Sequence, residues 1–468
     1  MGFILSTIYI VIFYLTPEAL FGSLGRFHVQ LIIGILAIVA SVPLLLKTPI
    51  LKAPQSLALL GFACAGFLST MVANRWLGGS VTVFIEFISS MIGFYFVFLN
   101  VNSRKRLRIL ILVLFVVCAI IVARGAATLV SVSGGYGPQL NAQSGEVDLE
   151  QWDAAHPYLF PMRNEYGDWI YRIRGLGIIG DPNDFALLLV CMIPLMFVFW
   201  HSKRRLRNVL LVVLPVLVLA FGVFLTHSRG ALLALIVLTA LGTRRRVGTL
   251  PAAILAGCFF VGAVALQFSG GRAISATAGE DRTALWGEGL AAFKTHPLFG
   301  VGYGNLPDYT DSHKTAHNSV IVCAAELGIV GFYCWSIFLF ATFKDALATT
   351  SPTQISGGKD IESEKVPFPR TALTLEPLAR EKINQMGSCV LLSLVGYLVA
   401  GWFLSRALNV TLFVLGGLVE AVFQMAQDRG IIASRLSFGK VLSKSAGFAF
   451  GLLVIAYVLI RGLNFMRG

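Results

Sequence analysis

The chain of 468 residues is 56% hydrophobic and only 13% charged, with a formal net charge of +13 and a mean hydropathy of +0.78. Soluble domains carry about a quarter charged residues, so this composition excludes a water-soluble globular protein and predicts an all-α, polytopic integral membrane protein with about 12–13 transmembrane helices. Nor does the positive charge signal a nucleic-acid partner, because no compact basic module with interleaved aromatics lies outside the apolar runs.

In chain order, apolar runs near the length that crosses a hydrocarbon layer of about 30 Å fall at 3–21, 28–46, 56–73, 80–99 and 109–130, making an N-terminal membrane unit over 1–130. The first of them has no basic n-region and no small-residue cleavage site, and is expected to be retained. A polar segment rich in Gly, Asn, Gln and acids, 131–178, closes on Tyr171-Arg172-Ile173-Arg174-Gly175-Leu176-Gly177. Runs at 185–200, 208–226, 229–241, 250–268 and 318–341 build a second unit, 179–341, interrupted by the polar stretch 269–317. A Ser/Thr/Lys/Glu-rich stretch with Pro352, Pro367, Pro369 and Pro377 reads as a cytoplasmic linker over 342–387. The remainder, 388–468, holds runs at 388–404, 411–423 and 447–460.

Short basic loops stay in the cytoplasm. The clusters Arg104-Lys105-Arg106-Leu107-Arg108, Lys203-Arg204-Arg205-Leu206-Arg207 and Arg244-Arg245-Arg246 agree on one orientation, with the N-terminus inside. It puts 131–178, the 226–230 turn and 269–317 outside, and leaves the short tail 461–468, with two Arg, discordantly outside. The seven Cys all lie in apolar runs without Cys-x-x-Cys spacing and read as small core residues, neither disulfides nor metal ligands.

Three polar groups share that outer face. Arg229 opens a helix in Thr226-His227-Ser228-Arg229-Gly230, where Ser228 stands at the capping position and the positive helix end favours a bound anion. Taken alone it is an interfacial anchor snorkelling to headgroups. Arg282 lies one turn before Trp286 on a stretch with apolar residues near helical spacing, an amphipathic surface helix closed by His296-Pro297. Beyond it, Gly300-Val301-Gly302-Tyr303-Gly304-Asn305 is a turn whose backbone suits close approach to a sugar or phosphate, though it lacks the context of a nucleotide cradle. His317, in Thr315-Ala316-His317-Asn318-Ser319, precedes an apolar helix whose dipole disfavours imidazolium, leaving a neutral ring able to take a proton. Glu326 follows about 13 Å deeper at 1.5 Å per residue, in the manner of an interhelical hydrogen-bond partner. Two cations and a neutral base are what transfer from a lipid-linked diphosphate needs, and nucleotide sugars are confined to the other side.

At these residues the chain resembles the O-antigen ligase and O-antigen polymerase superfamily. Its Ser-Arg-Gly helix start is similar to 228–230, and its Ala-His-Asn-Ser…Glu-Leu-Gly-Ile-x-Gly segment to 316–331. Its Arg-x-x-x-Trp followed by His-Pro-Leu-Phe-Gly-x-Gly-x-Gly is similar to 282–304, and a further motif to Gly180-Asp181-Pro182-Asn183-Asp184-Phe185-Ala186. The resemblance covers about 175–340 and implies metal-independent, cofactor-free, inverting transfer of an oligo- or polysaccharide from undecaprenyl diphosphate to an acceptor. By motif position Arg229 and Arg282 would bind the diphosphate and His317 would be the base. Arg174, Asn183, Asp184, Tyr303, Asn318 and Glu326 would line the cavity, with Arg172 a secondary candidate. The implied partners are the lipid-linked donor, a glycan, lipid or protein acceptor, and the bilayer of a bacterial inner membrane, with the site on its extracytoplasmic face. Ligase, O-antigen or exopolysaccharide polymerase, and protein O-oligosaccharyltransferase all stay open.

Two other classes compete. A metal-dependent oligosaccharyltransferase needs an outer acidic pair, and the one available, in Asp148-Leu149-Glu150, is of a kind usually solvated. A transporter or flippase for a lipid-linked or anionic substrate would also use intramembrane Arg and Glu, but would be expected to show a repeated half with broken helices.

Overall fold

The structure is a computed structural model and describes residues 1–20, 27–132, 149–164, 167–266, 268, 276–350, 370–405, 407–432 and 435–465. Each of the thirteen apolar runs falls on a helix. They are α1 (Gly2–Leu15), α2 (Val29–Leu45), α3 (Pro54–Asn74), α4 (Leu77–Asn100) and α5 (Arg104–Val132). The polar segment that follows contains a short helix, α6 (Leu149–Ala155), and an antiparallel hairpin, β1 (Leu159–Arg163) and β2 (Trp169–Ile173), paired from Leu159↔Ile173 to Arg163↔Trp169. Next come α7 (Pro182–Met196), α8 (Arg205–Thr226), α9 (Arg229–Val247) and α10 (Thr249–Ala265). The chain continues through α11 (Ala276–Thr295), α12 (Ser319–Thr350), α13 (Arg370–Gly401), α14 (Val410–Gln427) and α15 (Phe438–Phe465).

Among the described residues, nine helices are long and apolar enough to cross a membrane: α3, α4, α5, α7, α8, α12, α13, α14 and α15. α1, α2 and α10 are apolar but shorter, and α9 spends its last turn on the Arg244 cluster. The molecule is therefore an all-α polytopic membrane protein with one small hairpin, where the sequence predicted only a loop. Helices also run further into the expected linker: α12 continues to Thr350 and α13 starts at Arg370. Residues 351–369 between them lie outside the described residues, as do the loops 133–148 and 269–275 and the end of the tail at 466–468. Arg461 lies near the end of α15, its Nε donating to Tyr457 Oη at 3.1 Å.

The interior is built on α7, α12 and α14, the helices most enclosed by their neighbours. Helices α3, α13, α14 and α15 surround α12. Small residues permit this closeness, since dispersion between well-fitted faces drives helix association in lipid. A Cβ on Gly416 of α14 would stand 2.6 Å from Phe338 of α12, and one on Gly417 would stand 2.8 Å from the Phe94 carbonyl of α4. Cys118, Cys191, Cys323 and Cys389 are buried as expected of small core residues, whereas Cys64 and Cys258 face outward; all seven are free thiols.

The bundle has two polar ends. One gathers the basic clusters. There Arg108 Nη2 donates to the Val198 carbonyl (3.1 Å), Arg246 lies over the Trp200 ring (5.7 Å), and Gln385 Nε2 donates to the carbonyl of Phe197 (2.7 Å). Asn100 Nδ2 ties the same ends of α1 and α2 to α4 through Ser6 (3.1 Å) and Ser41 (2.9 Å). Buried Glu420 pairs with Arg435, which also stands 3.7 Å from buried Asp345. Asp345 in turn accepts from Gln55 Nε2 at 2.8 Å. A charge taken out of water needs this kind of pairing.

Candidate functional site

The opposite end carries the residues singled out by the sequence. α8 closes on His227, which adopts a left-handed conformation (φ 49°), and α9 begins directly after it with Ser228 in the capping position and Arg229 in its first turn. Ser228 makes no side-chain capping bond, so the positive end of α9 is left for other acceptors. The same backbone device recurs at α12: His317 is left-handed (φ 47°) and Asn318 caps the helix. Asn318 Oδ1 accepts from the N–H groups of Val320 (2.9 Å) and Ile321 (3.1 Å). Asn318 is fully buried and its work is structural, while the His317 side chain is exposed.

Both helix starts pack on one element, the C-terminal end of α13 and the turn after it. A Cβ at Gly230 would stand 3.5 Å from the Ala400 carbonyl and 3.6 Å from Phe403. On the α12 side, Ser319 Oγ donates to the carbonyls of Gly401 (3.0 Å) and Leu404 (2.7 Å). The backbone N–H of His317 donates to Ser405 Oγ (2.9 Å), which also receives the Thr315 hydroxyl (2.8 Å). The starts of α9 and α12 are thus both anchored on the short segment 400–405.

Arg282 is brought in by α11, the amphipathic helix expected from the sequence. Gly289 lets it press onto α12: a Cβ there would stand 2.5 Å from Ile321 Cγ2 and 3.6 Å from Ala316. Leu285 and Trp286 are buried, so Trp286 packs toward the protein. One turn before Trp286, Arg282 keeps an exposed side chain. Loss of water from the surrounding chain, then the Arg229 charge beside it, pull its guanidinium below the ordinary value for arginine. Two guanidinium groups from helices apart in sequence are therefore close enough for their charges to interact.

The Gly-rich turn has a structural role of its own. α12 is broken at Gly328, which takes φ 63° and ψ −168°, and the turn mends the break. Val301 and Gly302 donate to the carbonyls of Ala325 (2.9 Å) and Glu326 (3.1 Å), while Ile329 and Val330 donate back to those of Pro297 (2.8 Å) and Leu298 (3.3 Å). The buried Glu326 carboxylate takes the N–H groups of Gly304 and Leu306, and Ser69 Oγ of α3 donates to the Glu326 carbonyl (2.5 Å). Irregular backbone inside the bundle is tolerated where the freed groups, here those of Ala325, Glu326, Ile329 and Val330, find protein partners. Glu326 is accordingly part of a clasp that ties the turn after α11 to α12.

The remaining candidates divide. Arg172, on β2 and almost fully buried, donates to the Thr226 carbonyl (2.7 Å) and to Asn183 Oδ1 (2.8 Å), joining the hairpin and the start of α7 to the α8–α9 corner. Asp184 is buried beside Asn183, and Asp181 caps α7 through the Asn183 N–H (2.7 Å). Arg174 turns away to pair with Asp153 and to donate to the Pro157 carbonyl (3.2 Å), within its own segment. Tyr303 Oη donates to Glu86 of α4 (2.9 Å) with its ring edge-on to Phe87 (5.1 Å). Sequence reasoning missed Ser405, Gly289 and His227, whose Nδ1 lies 2.9 Å from the Phe268 carbonyl. The repeated pattern of a His before a capping residue, at 227–228 and 317–318, was the readable signal for the last.

Fold and site together define a polytopic helical membrane protein with two electrostatically coupled arginines and a histidine at one end of its bundle. Residues 214–336, from α8 through the break in α12, match the model of the O-antigen ligase family. This segment contains Arg229, Arg282 and His317, and over it the chain is similar to the O-antigen ligase family, in line with the motifs; the activity the family indicates is that of an O-antigen ligase- or polymerase-like membrane glycosyltransferase. Residues 1–149 match a family of unknown function. No curated protein matches the chain.

Proposed function

We propose that the chain transfers an oligo- or polysaccharide from undecaprenyl diphosphate to an acceptor at the extracytoplasmic face of a bacterial inner membrane. The observation that carries this reading is the approach of Arg282 to Arg229. Two like charges repel, and a diphosphate between them turns that cost into charge-assisted bonding that strengthens as the leaving group gains charge. In the proposed step the acceptor oxygen attacks the anomeric carbon from the face opposite the diphosphate, and the carbon–oxygen bond to the diphosphate breaks. The acceptor proton passes to the His317 imidazole, and the departing diphosphate stays on the two guanidinium groups. The anomeric centre inverts once. The arginines supply the positive charge that a divalent cation would otherwise bring, so no metal is required.

The test is transfer by the purified full chain in detergent, with a lipid-linked glycan donor and EDTA present. Transfer should survive EDTA and fall at least about a hundredfold in His317→Ala and in Arg282→Ala, the range seen when a general base or a charge-stabilising group is removed. Both variants should elute and melt like the parent. Full activity in both would sink the site assignment. Movement of the lipid-linked glycan across vesicles without transfer would point to a flippase.

A further inference from the structure

His317 keeps a left-handed backbone (φ 47°) immediately before the cap of α12. A residue with a Cβ stays in this conformation only where its surroundings hold it there, although histidine enters it more readily than most. What holds it here is a hydroxyl from far along the chain. The His317 N–H donates to Ser405 Oγ (2.9 Å) across 88 residues of sequence, and the Thr315 hydroxyl donates to the same oxygen (2.8 Å). A serine oxygen has two lone pairs, and both are taken by the residues that flank Ala316. Ala316 is itself fully buried, with α11 on its other side: a Cβ on Gly289 would stand 3.6 Å from it.

Ser405 can act as an anchor because its own segment is fixed. The carbonyls of Gly401 and Leu404 receive the Ser319 hydroxyl (3.0 and 2.7 Å), and Trp335 Nε1 of α12 donates to the Ala407 carbonyl (3.2 Å). Asn409 then caps α14 by accepting the Thr411 N–H (2.8 Å). On the other side, Thr310 braces the loop that leads to His317: its hydroxyl donates to the Lys314 carbonyl (2.8 Å) and accepts the Lys314 N–H (3.1 Å). Two braced segments thus meet at one serine oxygen, and the residue that carries the exposed imidazole makes the junction.

We infer that Ser405 is a positioning residue for transfer: by accepting the His317 N–H it fixes the backbone from which the imidazole reaches the acceptor hydroxyl. The inference rests on the reading of His317 as the base, and Ser405 acts through that residue without touching donor or acceptor. Without the oxygen, the His317 and Thr315 donors turn to water, the left-handed turn relaxes, and the ring moves with it. A displacement of about 1 Å at a reacting group costs about a hundredfold in rate. The loss should fall on kcat, because donor binding belongs to Arg229 and Arg282, which Ser405 does not hold.

The purified full chain is assayed with a lipid-linked glycan donor, kcat and KM being measured separately in Ser405→Ala, Ser405→Val and Ser405→Thr. Valine and threonine have nearly the same shape, so their difference reads the hydroxyl, and this pair decides the matter should Ser405→Ala melt well below the parent. Ser405→Ala and Ser405→Val should lose about thirtyfold in kcat with the donor KM little changed, while Ser405→Thr should stay close to the parent. In a His317→Ala background, where no imidazole is left to position, Ser405→Ala should cost less than about twofold, since residues that act as a unit are not additive. Parent-like kcat in Ser405→Ala and Ser405→Val, beside a His317→Ala protein that has lost transfer, would overturn this inference and leave the base in place. Losses that add in full, equal losses in Ser405→Val and Ser405→Thr, or a raised KM at unchanged kcat would each overturn it as well. Full transfer in His317→Ala would remove the base reading and this inference with it.

Discussion

Gly328→Ala should weaken the molecule more than any other single-methyl change at the site end. At φ 63° and ψ −168° the backbone lies in a region essentially closed to residues with a Cβ, at a cost of about 1–3 kcal/mol. The added carbon would also stand 2.3 Å from the Leu298 carbonyl and 2.6 Å from the Gly300 nitrogen. The turn must then retreat from α12, loosening backbone bonds that are worth about 1 kcal/mol each. If two of the four give way, the sum is about 4 kcal/mol. Thermal unfolding of the purified protein, followed by tryptophan fluorescence, should show a fall of several degrees, with Val330→Ala on the helical side of the break as a control that moves little. The turn also links α11 to α12, so transfer should drop along with stability. A Gly328→Ala protein that melts within a degree of the parent and transfers normally would refute the clasp.

Three further outcomes follow from the same geometry. Arg172→Ala removes two buried charge-assisted bonds, to Thr226 and Asn183, and should cost about 2–3 kcal/mol in unfolding free energy, read as a lower melting temperature. Asn318→Ala strips the cap from α12 and should cost about 1 kcal/mol; an unchanged melting point would mean that its capping bonds carry no weight. Gly289→Val drives a side chain into Ile321 and should move Arg282 off its position, reducing transfer about tenfold or more by misplacement. Circular dichroism should remain that of the parent.

Hydropathy is a one-dimensional property, and for that reason the spans were legible: thirteen runs became thirteen helices, though some extend well beyond their run, as the helix from Arg370 to Gly401 does. What depends on contacts between distant segments was not. Trp286 reads as an interfacial residue on an amphipathic helix, and only the close approach allowed by Gly289 turns it inward. Gly328 in an apolar run reads as a packing glycine, because the partners that open α12 there lie some thirty residues earlier in the Pro297 turn. The strands at 159–163 and 169–173 are too short, and too mixed in polarity, to stand out from a Gly- and Asn-rich segment. Within the candidate site, residue types and their shared membrane face came from the sequence. The meeting of Arg229 with Arg282, and the role of Ser405 in holding the His317 backbone, needed the fold.

Arginine at a helix start recurs at both ends of the bundle, in Arg229 on α9 and in Arg104 on α5, and the same physics makes each end attractive to phosphate. The surroundings differ. At the site end the guanidinium groups of Arg229 and Arg282 come from α9, packed on α13, and α11, packed on α12, and the exposed His317 before α12 is held by Ser405 just past α13, so a bound phosphate would have a proton acceptor on the same scaffold. At the basic end the charges acting on Arg104 are those of further arginines, Arg108 and Arg429. Arg229→Ala should therefore lose transfer, whereas Arg104→Gln should keep it; loss of transfer in Arg104→Gln would mean that the two ends are coupled.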